Sequence, residues 1–493
     1  MRKIIFLISF LITSICATAQ MDANWLWGDS LGIKFSSGTI IPIESSIKTV
    51  ESAASISDSS GNLLFYSDGQ HVYNKLNQLM DNGDSLINGQ LNSGGNTITN
   101  GTIIIPFPDN INLYILFHLN SLQNNFPGLY YSIIDISLNG GLGEVTLKNQ
   151  ALINFPTDSL HLTEKIAITR HANGRDWWIV IHKLWTNEFI KFLATPSGIN
   201  GPYYQSSGRI MNVSFLGEMI FNNEGNQLVN VGPTGLIDLF DFDRCTGELS
   251  NYKNLGSTIY PDNVDTNYFY GAAFSPDDSK IYVAASGKGI IQFSNFSFSD
   301  TSLNYIKKWI VFHQTSIEIN YGQLELAPNG KIYITRFVSD TTGYGFDSIN
   351  EFLAEIAFPN LDFPFCQYNL FGQWLFNESL NFSYASSLSY SPNYNLGALD
   401  GSACDTLGLE VKEIMNKKNE VNIYPNPACD KIMIKSFDIE SITVFNLLGQ
   451  QKIKHNYKNE KEIELHLNNL SSGIYIVEIE TANRVFREKF IKE

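Results

Sequence analysis

The chain has little charge. Asp, Glu, Lys and Arg make up 17% of its 493 residues, and the formal net charge is −16. That surface repels phosphate backbones, so nucleic acid is excluded as a partner. No strong basic cluster offsets it. Lysine is enriched only near the C-terminus, as at Lys417, Lys418, Lys452, Lys454 and Lys458, in the pattern of a solvated face. No apolar run reaches the ~20 residues that a bilayer-spanning helix needs, so no transmembrane segment is expected in the mature chain. No long Ala/Glu/Lys/Leu stretch occurs in the middle, which argues against a helical body. HExxH, Walker, GxSxG and EF-hand signatures are absent, and with them the metalloprotease, P-loop, serine-hydrolase and calcium-loop readings.

What is present is apolar and turn-forming. Hydrophobic residues are 43% of the chain and aromatics 13%, enough for a large core and unlike a disordered chain. A chain of 493 residues exceeds one ordinary core, so two or more domains are expected. Tyr, Phe, Ile, Asn, Ser and Gly crowd the sequence and favour strands and tight turns. The composition predicts an all-β fold.

The N-terminus reads as an export signal over 1–19. Arg2 and Lys3 form a short positive start. Residues 4–15 are almost wholly apolar, and Ala17-Thr18-Ala19 fits the small-x-small cleavage rule. Cutting is expected between Ala19 and Gln20. Cys16 raises a lipoprotein alternative, but Ile15 stands where a lipobox requires a small residue. Export implies an oxidising setting. The remaining cysteines, Cys245, Cys366, Cys404 and Cys429, allow three complete pairings. Cys366 and Cys404, close in sequence, are the expected disulfide. Cys429 is expected as a free, buried thiol.

Between the ends a unit recurs: an apolar strand, a turn rich in Asp, Asn and Gly, then a strand dense in Ile, Tyr, Trp and Leu. The second strands begin at Leu63, Leu113, Trp177, Leu228, Ile281 and Ile332. The spacing is about fifty residues, with one longer step from Leu113 to Trp177. Short strands at this period are the signature of a β-propeller, one small sheet per blade. A third strand follows most turns, as at 71–76, 129–136, 189–195, 236–242, 289–293 and 352–358, so six blades are visible. Segments 25–44 and 374–390 could build one more together, closing the ring and pairing its free edges. The expectation is a propeller of about seven blades over 20–398, with six as the alternative.

Several stretches carry a closer likeness. Gly128-Leu129-Tyr130-Tyr131-Ser132 followed by Leu138-Asn139-Gly140-Gly141-Leu142-Gly143 is one. Arg170-His171-Ala172-Asn173-Gly174-Arg175-Asp176-Trp177-Trp178 is another. Phe240-Asp241-Phe242-Asp243 followed by Thr246-Gly247 is a third. They resemble a family of large secreted proteins with a WD40-like or TolB-like propeller ahead of a type IX sorting domain. The likeness runs from about residue 52 to residue 366. It implies a fold and a location, with no assigned enzymatic activity for the propeller.

Residues 399–420 break the composition, small residues giving way to a charged run, and read as a linker. From Val421 onward six or seven short strands are expected, among them 431–435, 442–446, 463–467 and 486–491. This is the strand density of a small Ig-like β-sandwich. The order of motifs in 421–493 resembles type A sorting domains of the type IX secretion system. Tyr424-Pro425-Asn426-Pro427 opens it. Leu448-Gly449-Gln450 and Ser472-Gly473-Ile474-Tyr475 follow, and Lys489 and Lys492 lie on the last strand. The resemblance implies two partners, an outer-membrane translocon that reads the domain and a surface sortase that removes it. The propeller is then secreted or held at the outer cell surface.

His161, Glu164, Arg170, His171, Asp176 and His182 cluster in sequence, and acid–base chemistry uses such groups. However, His171 and Asp176 flank the turn at Asn173-Gly174 and His182 ends the next strand, so turn and strand-end roles are the reading adopted. Asp241 and Asp243 are two apart on one strand and share a face that could hold Ca²⁺, with Asp238 on the other. Lacking a calcium-loop spacing, they read as solvated edge carboxylates. Residues 140–143 are glycine-rich but lead into another strand, so they form a turn and no phosphate cradle. Trp25, Trp27, Trp177, Trp178 and Trp185 could form a platform for sugar rings. Adjacent Trp177 and Trp178 must face opposite sides of a strand, and core packing is the reading adopted.

No catalytic residue, metal ligand or cofactor is therefore assigned. A rigid ring of loops suits recognition of a protein or glycan ligand. The rival is an extracellular polysaccharide-active hydrolase or lyase, which needs two carboxylates, or His with a carboxylate, converging at the channel mouth. A structural adhesin for gliding or biofilm is a third reading.

Overall fold

The computed structural model describes residues 20–36, 38–86, 98–120, 128–154, 162–210, 215–233, 235–256, 269–294, 306–312, 319–338, 352–375, 387–405, 421–446, 450–481 and 485–493. The export signal with Cys16 and Ala19, His161, Leu448 and Gly449 lie outside these residues. The chain divides into two compact units, Met1–Thr406 and Leu407–Glu493. Among the described residues every regular element is a strand, apart from a 3₁₀ turn at Asn139–Gly141. That turn is the glycine-rich stretch, and Gly140 and Gly141 sit at φ of 68° and 85°, a region glycine enters without steric cost. No helix of the described chain is long and apolar enough to cross a membrane.

The first unit is a β-propeller. Its described strands form seven small antiparallel sheets in chain order, two of three strands and five of four. Each sheet is a meander in which sequence neighbours pair. Strands Trp177–Lys183, Phe269–Phe274, Lys280–Ala285 and Gly289–Ser294 are buried along almost their whole length. Both faces are apolar because a neighbouring sheet covers each one. Outer strands such as Gly198–Ser206 are largely exposed and polar.

The first strand of each sheet is the innermost. Asn24–Trp27 packs on Ala54–Ser57, and Ala54–Ser57 on Thr102–Pro106. Leu162–Arg170, Met219–Phe221, Phe269–Phe274 and Ile319–Leu326 follow in the same way. A parallel bridge between Asn100 and Lys165 links the third sheet to the fourth. Trp25 meets Tyr333 edge-on at 6.1 Å, so the last sheet closes on the first. Among the described residues that first sheet comes from the N-terminal segment alone, not from both ends of the unit.

The recurring turns hold themselves by side-chain-to-backbone bonds. Asp58 Oδ1 accepts the amides of Ser60 and Asn62 at 2.8 and 2.9 Å. Asn173 Oδ1 accepts those of Arg175 and Asp176, and Asn222 Oδ1 those of Asn226 and Gln227. This is why Asp and Asn recur at the turns: their short polar side chains substitute for backbone partners.

The second unit has five described strands in one sheet: Asn422–Tyr424, Lys431–Asn446, Gln451–His466, Gly473–Thr481 and Val485–Lys492. The segments 431–435 and 442–446, expected as separate strands, are halves of one 16-residue strand. Its pairing register slips between Lys435 and Ile439, where Asp438 has φ of 51°. Ile432 and Ile434 from one half and Ile442 and Val444 from the other share one core with Val477 and Phe490 of the last two strands. Cys429 is exposed, not buried as expected, because it lies in the polar turn before the long strand.

Candidate functional site

Residues 387–405 do not leave the ring at the end of the last sheet. They run back across its interior as a strap. The Leu388 amide donates to Gln323 Oε1 at 2.9 Å and the Tyr390 amide to the Ala53 carbonyl at 3.2 Å. Tyr394 donates its hydroxyl to the Ile104 carbonyl, and Asn393 Nδ2 donates to the Asn223 carbonyl at 2.8 Å. Arg244 Nη2 donates to the Gly397 carbonyl at 2.5 Å, and the Leu399 amide to the Ala172 carbonyl at 2.8 Å. These partners belong to the second, third, fourth, fifth and seventh sheets.

A disulfide between Cys404 and Cys245, Cα atoms 5.6 Å apart, clamps the end of the strap. This corrects the expected pairing of Cys366 with Cys404. Cys366 is a buried free thiol in the core of the last two sheets. The strap delivers Cys404 instead to the turn after Leu236–Phe242, where Cys245 lies, so closeness in sequence misleads. Residues 399–405 likewise belong to the first unit rather than to a linker.

The ring interior holds buried ionisable groups. Glu164 accepts the Thr99 amide at 3.1 Å, and burial pushes its carboxyl up to about 8, helped by nearby Glu51. Burial also raises Glu218 to about 8, with one oxygen accepting the Ala272 amide at 2.8 Å. Lys165 is fully buried and pushed down to about 7, its ammonium donating to Asn230 Oδ1 and the Val231 carbonyl. Glu325 is raised well above the usual range by burial and by Glu218. Asp22 is raised to about 6 by burial.

The other sequence candidates scatter. His171 and Asp176 lie in the turn before Trp177, as the sequence reading held. His171 Nε2 contacts the Cys245 carbonyl at 3.0 Å, and Asp176 pairs with Arg175 at 2.7 Å. His182 is buried against Phe189 and pushed down to about 3 by burial. Asp243 caps its turn by accepting the Cys245 amide, Asp241 accepts Asn251 Nδ2, and Asp238 pairs with Arg209. These three carboxylates do not converge, and no group of three metal-ligating side chains occurs among the described residues. Trp177 packs in the cluster that holds Ile103 and Ile115, while Trp178 packs with Phe240 and Phe242 toward the fifth sheet. Trp25 and Trp27 are core residues, and Trp185 is exposed.

The sequence reading missed Asp22, Glu218 and Glu325. Each is a lone carboxylate beside apolar residues, and nothing in its local pattern marks it as facing a channel.

A second concavity lies outside the ring interior, among the turns of the second, third and fourth sheets. It is a cleft of about 810 Å³ lined mainly by Leu64, Phe107, Ile111, Tyr114, Ile136 and Trp177. Arg175 bridges across to Asp109 at 3.1 Å at its rim. At its floor the Arg170 guanidinium lies over the Trp177 ring, 4.2 Å from the centroid, and donates to the Gly174 and Tyr394 carbonyls. Ile111 is 88% exposed.

In the second unit, Asn426 ties the opening motif to the last strand. Its Nδ2 donates to the Lys489 carbonyl and its Oδ1 accepts the Ile491 amide, both at 2.9 Å. Tyr424 donates to Glu462, and its ring sits beside Lys435. Pro425 and Pro427 flank Asn426 and cannot donate to the sheet. Gln450 donates its amide to Asn446. Gly473 opens its strand, and the Tyr475 hydroxyl donates to the Ser471 carbonyl while its ring stacks on Phe490.

Residues 422–493 match the family described as a secretion system C-terminal sorting domain. A chain carrying this domain is handled by the type IX machinery and delivered to the cell surface or extracellular space. A curated relative, the ulvan lyase NLR42 of Nonlabens ulvanivorans, is 26% identical over 230 residues, 43% of this chain. The chain spans 38% of that relative's length. Similar solved structures include the β-propeller domain of Cps50 (Swd1) from Myceliophteria thermophila. It has 13% identity and a TM-score of 0.39, covering 65% of this chain and 93% of that one. The periplasmic gluconolactonase of Pseudomonas aeruginosa has 10% identity and a TM-score of 0.35, covering 80% and 94%.

Proposed function

We propose that the propeller is a binding module for a protein or glycan ligand, displayed or released outside the cell, and that it holds its ligand in the cleft among the turns of the second to fourth sheets. The carrying observation is the contrast between the two concavities. Inside the ring, Glu164, Glu218 and Glu325 accept backbone amides. The cleft is open, mainly apolar, and walled by turns that fix their own geometry. A preformed apolar cleft with a few fixed polar groups is the usual form of a recognition site. The same proposal includes a signal cut between Ala19 and Gln20 and removal of the sorting domain by a surface sortase.

The likeness to the ulvan lyase favours a second reading, a polysaccharide-active enzyme. Against it, the His71–Asp68 contact at 3.3 Å lies outside the lining of the cleft, and the paired carboxyl groups Asp22 and Glu325 lie in the ring interior beside the strap. The test passes the mature chain over immobilised cell-surface polysaccharides and envelope proteins, with product release measured in parallel. Retention without new chain ends supports the binding module. Steady release of unsaturated or reducing ends from any polysaccharide overturns it in favour of the enzyme.

A further inference from the structure

The ring interior also holds a partly open cavity of about 200 Å³, distinct from the cleft. The strap forms one wall through Tyr390, Ser391, Pro392 and Asn393; the inner strands of the fourth to seventh sheets and the N-terminal residues Asp22 and Trp25 form the rest. Two carboxyl groups line it, Asp22 and Glu325. They interact with each other, and among the described residues neither has a Lys, Arg or His in an ion pair with it. Glu325 is 9% exposed, and its carboxyl receives the Ser391 amide.

One further polar atom on the same walls has no partner in the described structure: the indole Nε1 of Trp25, a residue only 1% exposed. The cavity thus combines two carboxyl groups with no cationic partner, an unused buried N–H donor, and aromatic walls from Phe221, Phe274 and Tyr390. Buried carboxyl groups and unpaired N–H groups are each costly to leave unsatisfied.

We propose that this cavity binds a small protonated amine that also carries hydroxyl groups, about the size of an amino sugar. The ammonium group bridges Asp22 and Glu325, with aromatic rings beside it. A ligand hydroxyl accepts the Trp25 N–H. Water alone would satisfy the indole, whereas an ammonium group also supplies the positive charge that lets both buried carboxyls ionise. A bare metal ion would leave the indole N–H unmet, and the described residues hold no cluster of three ligating side chains. The inference rests on the cavity alone and stands or falls apart from the cleft.

The test is a calorimetric titration of the full mature chain with D-glucosamine, N-acetyl-D-glucosamine, D-glucose and potassium chloride. Glucosamine is expected to bind saturably, and its acetylated and neutral counterparts at least tenfold more weakly. Glu325→Gln and Asp22→Asn are each expected to weaken glucosamine at least fivefold with the thermal midpoint kept. Asp22 is the less buried of the two, so D22N carries the variant test if E325Q fails to fold. Equal binding of glucose, absence of saturable binding, full competition by potassium at equal concentration, or indifference to both substitutions would each overturn the proposal.

Discussion

Tyr394 donates its hydroxyl to the carbonyl oxygen of Ile104 at 2.7 Å, across a sequence separation of 290 residues. One residue belongs to the strap, the other to the inner strand of the third sheet. The bond belongs to a set that joins the strap to five sheets, so the ring is held from within as well as by packing between neighbours. Gly174 and Gly225 let the strap lie close: both have positive φ, and a Cβ at either would collide with strap residues Ala398 and Leu396.

Tyr394→Phe removes this bond while keeping the ring that packs against Trp177. The cost should be about 1 kcal/mol, the net value of a buried hydrogen bond. Urea unfolding of the mature chain should show a lower midpoint with an unchanged slope. An unchanged midpoint would mean that this bond adds nothing to the stability of the ring.

Cys404→Ser should destabilise the propeller by about 2–4 kcal/mol, because the disulfide restricts a long loop in the unfolded chain. Cys245→Ser should match it, and the double variant should cost no more than either alone. Cys366→Ser lacks this effect, since Cys366 is unpaired. Thermal unfolding with and without reductant separates the cases: only chains with both Cys245 and Cys404 should respond to reductant.

Burial of Glu218 makes stability fall as pH rises. Its carboxyl ionises near 4.5 in the unfolded chain and near 8 in the fold. Between these values the unfolded chain has released a proton that the folded one still holds. The stabilising contribution is therefore full below about 4.5 and is lost on the way to 8. Glu164 acts in the same sense. Lys165, lowered to about 7, acts in the opposite sense above that pH. Between pH 4.5 and 7, Asp22 and Asp238, raised to about 6, act with Glu218, while buried His118 and His182, pushed down to about 3, oppose it, so the difference between variant and parent carries the test. Glu218→Gln should flatten the decline there and leave the variant more stable than the parent at pH 7 by at least about 1 kcal/mol, given 1.36 kcal/mol per pKa unit. Urea midpoints at pH 4.5 and 7 check it, and a parallel decline in both proteins refutes the assignment.

Asn426→Ala breaks both bonds between the Tyr-Pro-Asn-Pro motif and the last strand. Loss of two such bonds should destabilise the sorting domain by about 1–2 kcal/mol. In cells the variant should accumulate inside the outer membrane at the expense of surface material, measured by fractionation and immunoblot. Asn426→Asp keeps the acceptor for the Ile491 amide and should lie between the two.

Much of this architecture was legible because its causes are local. The apolar strand, Asp/Asn/Gly turn, apolar strand unit around Asp58, Asn173 and Asn222 encodes both hairpin and turn within a dozen residues. The order Tyr424 to Pro427, Gln450, Tyr475, Lys489 was readable for the same reason. Trp177 and Trp178 were correctly sent to opposite faces, since adjacent strand residues must point apart. The bend at Asp438 was not legible. Residues 431–435 and 442–446 have the alternation of two strands, and a local positive φ joined them into one.

The sequence by itself determined the all-β class, the repeating hairpins and the sorting module, because pleat, turn chemistry and burial pattern act between residues close along the chain. Only the tertiary structure decided that Cys404 meets Cys245, that residues 387–405 cross the ring, and that Asp22 and Glu325 share one cavity. Those meetings depend on the closure of the ring, which brings together inner-strand positions hundreds of residues apart. No local pattern records which lone carboxylate will face the interior once the last sheet has packed on the first.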